Sequence, residues 1–311
     1  MNATEAAEYP VTEEMKKIRA VQLDMLRQLL AVCEKHDLRI WADGGTLLGT
    51  VRHKGYIPWD DDIDMLMLRE DYDKLTAVAD SEFRHPYFFQ TAHSDAGYSR
   101  GHAQLRNSET AAILPGDIRQ PFNQGIFIDI FVYDVLPADD GAETARGLRR
   151  VKRLKSLLRV RNYGSLLSHN PRRSLHYLWS LLYFRFRSYR ETFIEMDSVF
   201  GGNKPFDKCR ISSPAFHPAF VGWLTKEMEW YSETVTLPFE DVMMPVPKEY
   251  HKVLSGQYGS DYMTPRMSPN LHGSVIFDTQ RSYTEVLPEL RAKRSWKVRL
   301  KDMFAARPAV D

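Results

Sequence analysis

The residues best suited to chemistry lie in one acidic run, Asp60-Asp-Asp-Ile-Asp64. The apolar residues that follow predict a strand over 62–68, and side chains alternate between the two faces of a strand. Asp62 and Asp64 are therefore expected to share one face while their neighbours enter the core. Two carboxylates on one face repel each other unless a cation lies between them, and oxygen ligands suit Mg²⁺ or Mn²⁺. The pair predicts half of a metal site for phosphoryl transfer.

A third carboxylate is available at Asp129, inside the apolar run Ile126–Phe131. The surrounding segment, 125–133, is rich in β-branched and aromatic residues and gives the strongest strand pattern of the chain. A lone Asp within such a run is costly unless it is paired or bound to a metal. We predict that Asp129 completes the metal site with Asp62 and Asp64.

A glycine pair lies upstream of the acids, in Gly44-Gly45-Thr46. It falls between a predicted strand, 39–43, and a predicted short helix, 47–52. A helix N-terminus offers free backbone N–H groups and favours negative charge. This turn is therefore a predicted place to hold a phosphate.

Each of these features also has a simpler interpretation. The acidic run is compatible with a solvated turn or a helix cap, and Asp129 with a buried, hydrogen-bonded acid. An EF-hand loop is disfavoured because Met65 replaces the required Gly and Asp71 replaces the terminal Glu. The functional interpretation rests on the ordered combination of a Gly-Gly turn, an Asp-x-Asp strand and a strand Asp.

That combination resembles the nucleotidyltransferase, or polymerase β-like, fold. The run from Asp43 to Asp64 is similar to the LicD family of phosphorylcholine transferases, whose relatives include fukutin-type ribitol-phosphate transferases. The similarity continues through Arg69–Tyr72 and Phe127–Phe131 and covers roughly residues 15–272, with its greatest density over 41–73.

The resemblance implies a metal-dependent enzyme that transfers a phospho-alcohol from a cytidine diphosphate donor, such as CDP-choline, to a sugar hydroxyl and releases CMP. Carried over by position, Asp62 and Asp64 would bind metal, with two Mg²⁺ or Mn²⁺ ions expected. Asp129 would complete the site and accept the proton of the attacking hydroxyl. The positions expected to contact the donor phosphates are Gly44, Gly45, Thr46, Arg52 and Lys54.

The identity of the transferred group is less constrained. Family members often carry Pro at Leu68 and Lys at Gln104, and the second difference bears on donor or acceptor contacts. Ribitol phosphate, glycerol phosphate or a nucleotide are therefore alternatives to phosphocholine, and a non-catalytic membrane- or nucleic-acid-binding protein is a third. A choline head group would need aromatic faces; candidates in the C-terminal half are Trp223, Trp230, Tyr231, Tyr250, Tyr258 and Tyr262.

The predicted helices and strands indicate an α+β fold. Together with the family resemblance, they lead us to expect a nucleotidyltransferase-like mixed sheet flanked by helices. Apolar spacing predicts helices over 11–38 and 70–80 and short strands within 86–114. The catalytic core is placed at 1–141, a basic helical insertion at 142–200, an irregular proline-rich part at 201–290, and a basic tail at 291–311.

The net charge of +1, from 42 basic and 41 acidic residues, hides a strong segregation. Residues 144–190 contain 13 Lys or Arg and no Asp or Glu, whereas residues 60–73 contain seven acids and one Arg. The basic block is interpreted as a solvated helical face, or as a surface for anionic lipid or a lipid-linked oligosaccharide acceptor. Nucleic acid is a less favoured partner, because no recognition module is visible.

The remaining features bear on location. The two cysteines, Cys33 and Cys209, form no metal or redox motif and indicate a reducing compartment. The acidic N-terminus lacks the basic and apolar pattern of a secretory signal. We therefore expect a cytoplasmic protein, and the basic block suggests a peripheral position at the inner face of the membrane. The family resemblance implies that it modifies a cell-surface glycan such as lipopolysaccharide or teichoic acid.

Overall fold

A computed structural model describes residues 10–137, 141–164, 170–201, 209–214, 225–267 and 275–294. The acidic N-terminal residues, Trp223 and most of the predicted basic tail lie outside the described residues. Within the described ranges the chain forms eight α-helices: α1 (Glu13–Lys35), α2 (Gly44–His53), α3 (Arg69–Glu82), α4 (Ala142–Tyr163), α5 (Pro171–Tyr183), α6 (Tyr189–Ser198), α7 (Tyr250–Tyr258) and α8 (Tyr283–Lys293).

Eleven strands are present in the same ranges: β1 (Trp41–Ala42), β2 (Asp64–Leu68), β3 (Tyr87–Gln90), β4 (Ala103–Asn107), β5 (Ala111–Ile113), β6 (Ile126–Pro137), β7 (Cys209–Ser212), β8 (Lys226–Glu227), β9 (Thr234–Phe239), β10 (Val242–Pro247) and β11 (Ile276–Asp278). Seven of them form one sheet, in which the order β1-β2-β6-β4-β3 is extended by β7 on the far end of β6 and by β8 on β7. Only the pairing of β2 with β6 is parallel. The predicted α+β class with a mixed sheet is confirmed.

The long strand β6 organises this sheet. Its first part lies between β2 and β4, and its last residues, Asp134–Pro137, pair with β7. Side chains alternate between the faces of a strand, and Ile126, Ile128 and Ile130 on the core face are all fully buried. Asp129 lies on the other face, between the partly buried Phe127 and Phe131.

Helix α1 covers the sheet with an apolar stripe, as its spacing predicts. Its buried side chains include Ile18, Met25, Leu26 and Leu29, which belong to the main core together with the residues of β2 and β6. The helix begins where the Thr12 hydroxyl accepts a hydrogen bond from the Met15 amide at 3.1 Å, which satisfies one of the free N–H groups of the first turn.

The predicted basic helical segment folds as three helices with a small core of their own. Val151, Leu154 and Leu158 of α4 pack against Phe193 and Met196 of α6. This module is fastened to the sheet by a buried ion-pair network that begins at Arg69. Its guanidinium donates to Asp134 of β6 at 2.8 Å and to Asp197 of α6 at 2.8 and 2.9 Å.

The C-terminal part is more regular than the prolines predict. Strands β9 and β10 form an antiparallel hairpin that contains Pro238, Pro245 and Pro247. Both strands of a two-stranded sheet are edges, so a proline that lacks an N–H can be tolerated there. Within the described ranges no helix is both long enough and apolar enough to cross a membrane.

The buried strand β2 should dominate the stability of the sheet. Met67 on this strand is 0% exposed, whereas Met243 on β10 is 55% exposed. We expect Met67→Ala to lower the free energy of unfolding by about 2–5 kcal/mol, because it leaves a cavity in the core. The matched variant Met243→Ala should change it by less than about 0.5 kcal/mol. Urea denaturation measures both values, and similar losses in the two variants would contradict the assigned core.

Candidate metal and phosphate site

Three carboxylates meet at the start of the parallel strand pair. Asp64, the first residue of β2, lies directly opposite Asp129 of β6 in the strand register. Asp62 precedes the strand on the same face, since the intervening Ile63 is fully buried in the core. One oxygen from each of Asp62, Asp64 and Asp129 can be chosen so that all lie within 4.8 Å of one another. The structure therefore brings together the three acids that the sequence singled out.

The electrostatics of this cluster suit a hard cation. Burial raises the pKa of Asp64 well above its usual range, and the negative charges of Asp62 and Asp129 raise it further. Three acids at this separation cannot all be ionised at low cost without a positive charge among them. The donor set consists of carboxylate oxygens, which Mg²⁺ and Mn²⁺ prefer, so these residues fit such an ion.

Asp129 is held by two neighbouring side chains that the metal motif does not include. His102 Nε2 lies 3.0 Å from Asp129 Oδ1, and Gln104 Nε2 donates to the same oxygen at 2.5 Å. Burial alone would raise the pKa of Asp129, but His102 and the hydrogen bond from Gln104 outweigh it and lower the pKa. Both contacts use Oδ1, which leaves Oδ2 as the oxygen that can turn toward a cation or a substrate proton.

The orientation of Gln104 is fixed by a buried arginine. Arg106 donates to Gln104 Oε1, to Gln90 Oε1 at 2.6 Å and to the Gly125 carbonyl at 2.6 Å. Because a guanidinium only donates, the Gln104 oxygen must face Arg106 and its amide nitrogen must face Asp129. Sequence reasoning had noted Gln104 as a departure from the family but had not connected it, or His102, to Asp129. The alternation of residues 102, 104 and 106 along β4 was the available signal.

The glycine pair allows the acids to approach helix α2. A Cβ on Gly44 would lie 3.2 Å from Asp64 Oδ2, and one on Gly45 would lie 2.6 Å from Asp60 Oδ2. Gly44 also has a φ of +50°, which other residues rarely adopt. The helix begins at Gly44 and not at Leu47 as predicted, so the glycines form its first turn. That turn faces the acids and presents N–H groups without intrahelical partners.

Thr46 connects the helix to the strand. Its hydroxyl oxygen accepts a hydrogen bond from the Asp64 amide at 2.8 Å, and the side chain is buried. Asp43, the residue immediately before α2, is held by two contacts that the sequence did not predict. Lys226 contacts its carboxylate, and Tyr133 donates to Asp43 Oδ2 at 2.9 Å. These contacts fix the position of the α2 N-terminus relative to β2 and β6.

The loop before β2 is fixed by α1. Arg19 donates to the carbonyls of Ile57, Pro58 and Asp60 at 3.1, 3.0 and 2.8 Å. Gln22 donates to the Asp61 carbonyl at 2.8 Å. Because these bonds all end on backbone oxygens, they fix the path of the loop without using its carboxylates as acceptors.

Arg52 and Lys54 lie at the other end of α2. Eight residues at about 1.5 Å per residue separate Gly44 from Arg52 by about 12 Å along the helix. The Arg52 guanidinium donates to the Tyr262 carbonyl at 2.9 Å, and Lys54 is exposed. The structure therefore places both outside the carboxylate cluster, and their contact with a donor remains a prediction.

Tyr258 is the candidate aromatic residue that borders the cluster. Its hydroxyl would lie 3.9 Å from a Cβ on Gly44. Burial raises its pKa, and the charges of Asp43 and Asp64 raise it further. Like the other described candidates, Trp230, Tyr231, Tyr250 and Tyr262, it belongs to the main core or packs against it.

Comparisons with known proteins agree with this geometry. Residues 37–135 match the family described as LicD/FKTN/FKRP, nucleotidyltransferase domain. The chain is 27% identical over 254 residues to the lipopolysaccharide cholinephosphotransferase LicD of Haemophilus influenzae, covering 80% of this chain and 91% of that protein.

Two shorter similarities accompany this one. An uncharacterized protein of Rickettsia prowazekii is 38% identical over 131 residues, which are 40% of this chain and 46% of that protein. The ribitol 5-phosphate transferase FKRP of Homo sapiens is 41% identical over 54 residues, which are 17% of this chain and 11% of that protein. The resemblance found in the sequence is thus confirmed: residues 37–135, which contain the three acids and the glycine turn, match the nucleotidyltransferase domain of the LicD/FKTN/FKRP family.

Proposed function

We propose that this chain is a metal-dependent transferase that moves phosphocholine from CDP-choline to a hydroxyl of a cell-surface glycan or its lipid-linked precursor. The observation that carries the proposal is the meeting of Asp62, Asp64 and Asp129 beside the first turn of α2. The Haemophilus relative is a lipopolysaccharide cholinephosphotransferase, and this supports the phosphocholine group because the similarity extends over most of both chains.

Asp62, Asp64 and Asp129 would hold the divalent metal, which we take to be Mg²⁺ or Mn²⁺. When bound, the metal would neutralise negative charge on the donor phosphates and on the departing CMP. The raised pKa of Asp64 supports this assignment, because an ion among the acids relieves the repulsion that burial intensifies.

Asp129 is the proposed acceptor of the substrate proton. The glycan hydroxyl oxygen attacks the choline-bearing phosphorus, the bond from that phosphorus to the CMP oxygen breaks, and the hydroxyl proton passes to a carboxylate. Contacts from His102 and Gln104 keep Asp129 ionised and fix the direction of its free oxygen. An ionised, oriented carboxylate is what this step requires.

The first turn of α2 is the proposed cradle for the donor phosphates. Gly44 and Gly45 let a phosphate reach the backbone N–H groups, as they let the acids approach. Thr46 holds this turn on β2 through the Asp64 amide. Tyr258 borders the cluster and is the aromatic face we assign to the quaternary ammonium of choline.

A second candidate donor is a CDP-linked polyol such as CDP-ribitol. The similarity to FKRP, a ribitol 5-phosphate transferase, supports it. The residues that would distinguish the head groups lie outside the acid cluster, so the same chemistry serves either donor.

We expect Asp62→Asn and Asp129→Asn each to lower kcat for CMP release by at least about a hundredfold, because each removes a charge on which metal binding depends. Asp80→Asn, an exposed change on α3, should retain full activity. EDTA should stop the wild-type reaction, and added Mg²⁺ should restore it. Circular dichroism checks folding, and turnover in EDTA or in both acid variants would refute the site.

The donor is tested by a panel of CDP-choline, CDP-ribitol, CDP-glycerol and CTP with a defined glycan acceptor. We expect CMP release to be fastest with CDP-choline. Faster release with CDP-ribitol would select the second candidate, and pyrophosphate from CTP would indicate nucleotide transfer. If no donor yields product, the non-catalytic interpretation is favoured.

The role of Gln104 is tested by Gln104→Glu. The new carboxylate still accepts from Arg106 but loses the amide that donates to Asp129. A hydrogen bond to a charged group contributes about 1.5–3 kcal/mol, so we expect kcat to fall about tenfold or more. The new carboxylate also lies against Asp129 and repels it, so urea denaturation should show some loss of stability in a variant that remains folded. Unchanged kcat would mean that this hydrogen bond does not assist the reaction.

A further inference from the structure

Helix α5 exposes the side of its surface that a globular protein normally buries. Tyr177 and Ser180 face inward and are buried, at 4% and 0% exposure. The opposite side carries large apolar residues that are at least half exposed, among them Trp179 at 62%. The set, which we call the apolar stripe, consists of Leu175, Leu178, Trp179 and Leu182 on the helix and Phe186 in the turn after it.

The spacing of these residues makes a single continuous surface. At about 100° per residue, positions 175, 178, 179 and 182 fall within an arc of about 100°. Phe186, at 80% exposure, extends the stripe beyond the helix end. Scattered exposed apolar residues need no explanation, but an aligned set of large ones indicates an interaction surface.

Arginines bracket the apolar stripe at both ends. Arg172 and Arg173 begin the helix, and Arg185 and Arg187 follow it; all four are exposed. No acidic residue occurs from 144 to 190, and Arg172, Arg173 and Arg185 add positive charge beside the stripe, whereas Arg187 forms a 2.5 Å ion pair with Glu195 of α6. A positive rim around an apolar strip complements an anionic lipid surface, where phosphates meet acyl chains.

The dimensions of α5 fit a helix that lies on a bilayer. It has 13 residues, which span about 20 Å, less than the roughly 30 Å of a hydrocarbon core. Only one face is apolar, and the other packs on the protein. We propose that the apolar stripe and its flanking arginines dock this protein on an anionic membrane surface, with Trp179 and Phe186 entering the interface.

Hydrogen bonds also connect the helices that carry the docking surface to the loop that precedes His102 of the candidate site. Helix α4, which packs with α5 and α6, donates from Asn162 to the Gly97 carbonyl at 2.8 Å and from Lys155 to the Arg100 carbonyl at 3.0 Å. The loop that receives these bonds leads directly to His102, which contacts Asp129. Docking through α5 would therefore hold the catalytic edge at a set position relative to the lipid.

The experiment is flotation of the full chain with phosphatidylcholine vesicles, with and without phosphatidylglycerol, and with no donor or acceptor present. We expect flotation only with phosphatidylglycerol, and loss of it at high salt. Leu178→Ser with Trp179→Ser should weaken partitioning at least about tenfold. Arg172→Gln and Arg185→Gln should each weaken it about fivefold. The matched control, Met243→Ser with Met263→Ser, removes exposed apolar residues elsewhere and should leave binding unchanged.

Three outcomes would overturn the proposal. They are no flotation of the wild type, equal flotation on both vesicle types, and equal losses in the stripe variant and the control. A dimer in sedimentation velocity that dissociates in the stripe variant, without vesicle binding, would assign the surface to a second copy. An Asp62→Asn variant that floats like the wild type separates the docking surface from the proposed chemistry, so either can fail alone.

Discussion

The central interaction of the structure is the mutual repulsion of three clustered carboxylates, of which Asp62 is buried and Asp64 and Asp129 are partly buried. The parallel register of β2 and β6 sets Asp64 against Asp129, and Asp62 is brought to the same face one pleat earlier. The charge of such a cluster has to be balanced by hydrogen-bond donors together with a cation or a proton on one of the acids. His102 and Gln104 contact Asp129 on one side, and the first turn of α2 lies close to Asp64 on the other.

The supporting contacts are mostly made through backbone and buried polar groups and leave the acid oxygens facing the site. Arg19 and Gln22 of α1 hold the carbonyls of the loop before β2. Lys226 and Tyr133 hold Asp43 immediately before α2. A constellation fixed from outside in this way loses little entropy when it binds a charged ligand, because its geometry exists beforehand.

The parts of this arrangement that follow from local pattern were predictable from the sequence. The helix spacing of α1, the apolar run of β6 and the Asp-x-Asp alternation are periodic signals, and the family resemblance joined them into one site. The contacts of His102, Gln104 and Lys226 are between distant segments, and no local pattern specifies which strands become neighbours. The β9–β10 hairpin was missed for another reason: its prolines argue against a strand only where every N–H must be paired.

The near-neutral net charge conceals an acidic and a basic region, which are joined by two sets of hydrogen bonds and ion pairs. Arg69 illustrates the first link: one buried guanidinium ties the start of α3 and β6, in the catalytic sheet, to α6 in the basic helical module. The bonds from α4 to the loop before His102 form the second. Because both sets of bonds are made by partly or fully buried groups, they hold the acidic and the basic regions in a fixed relation to each other.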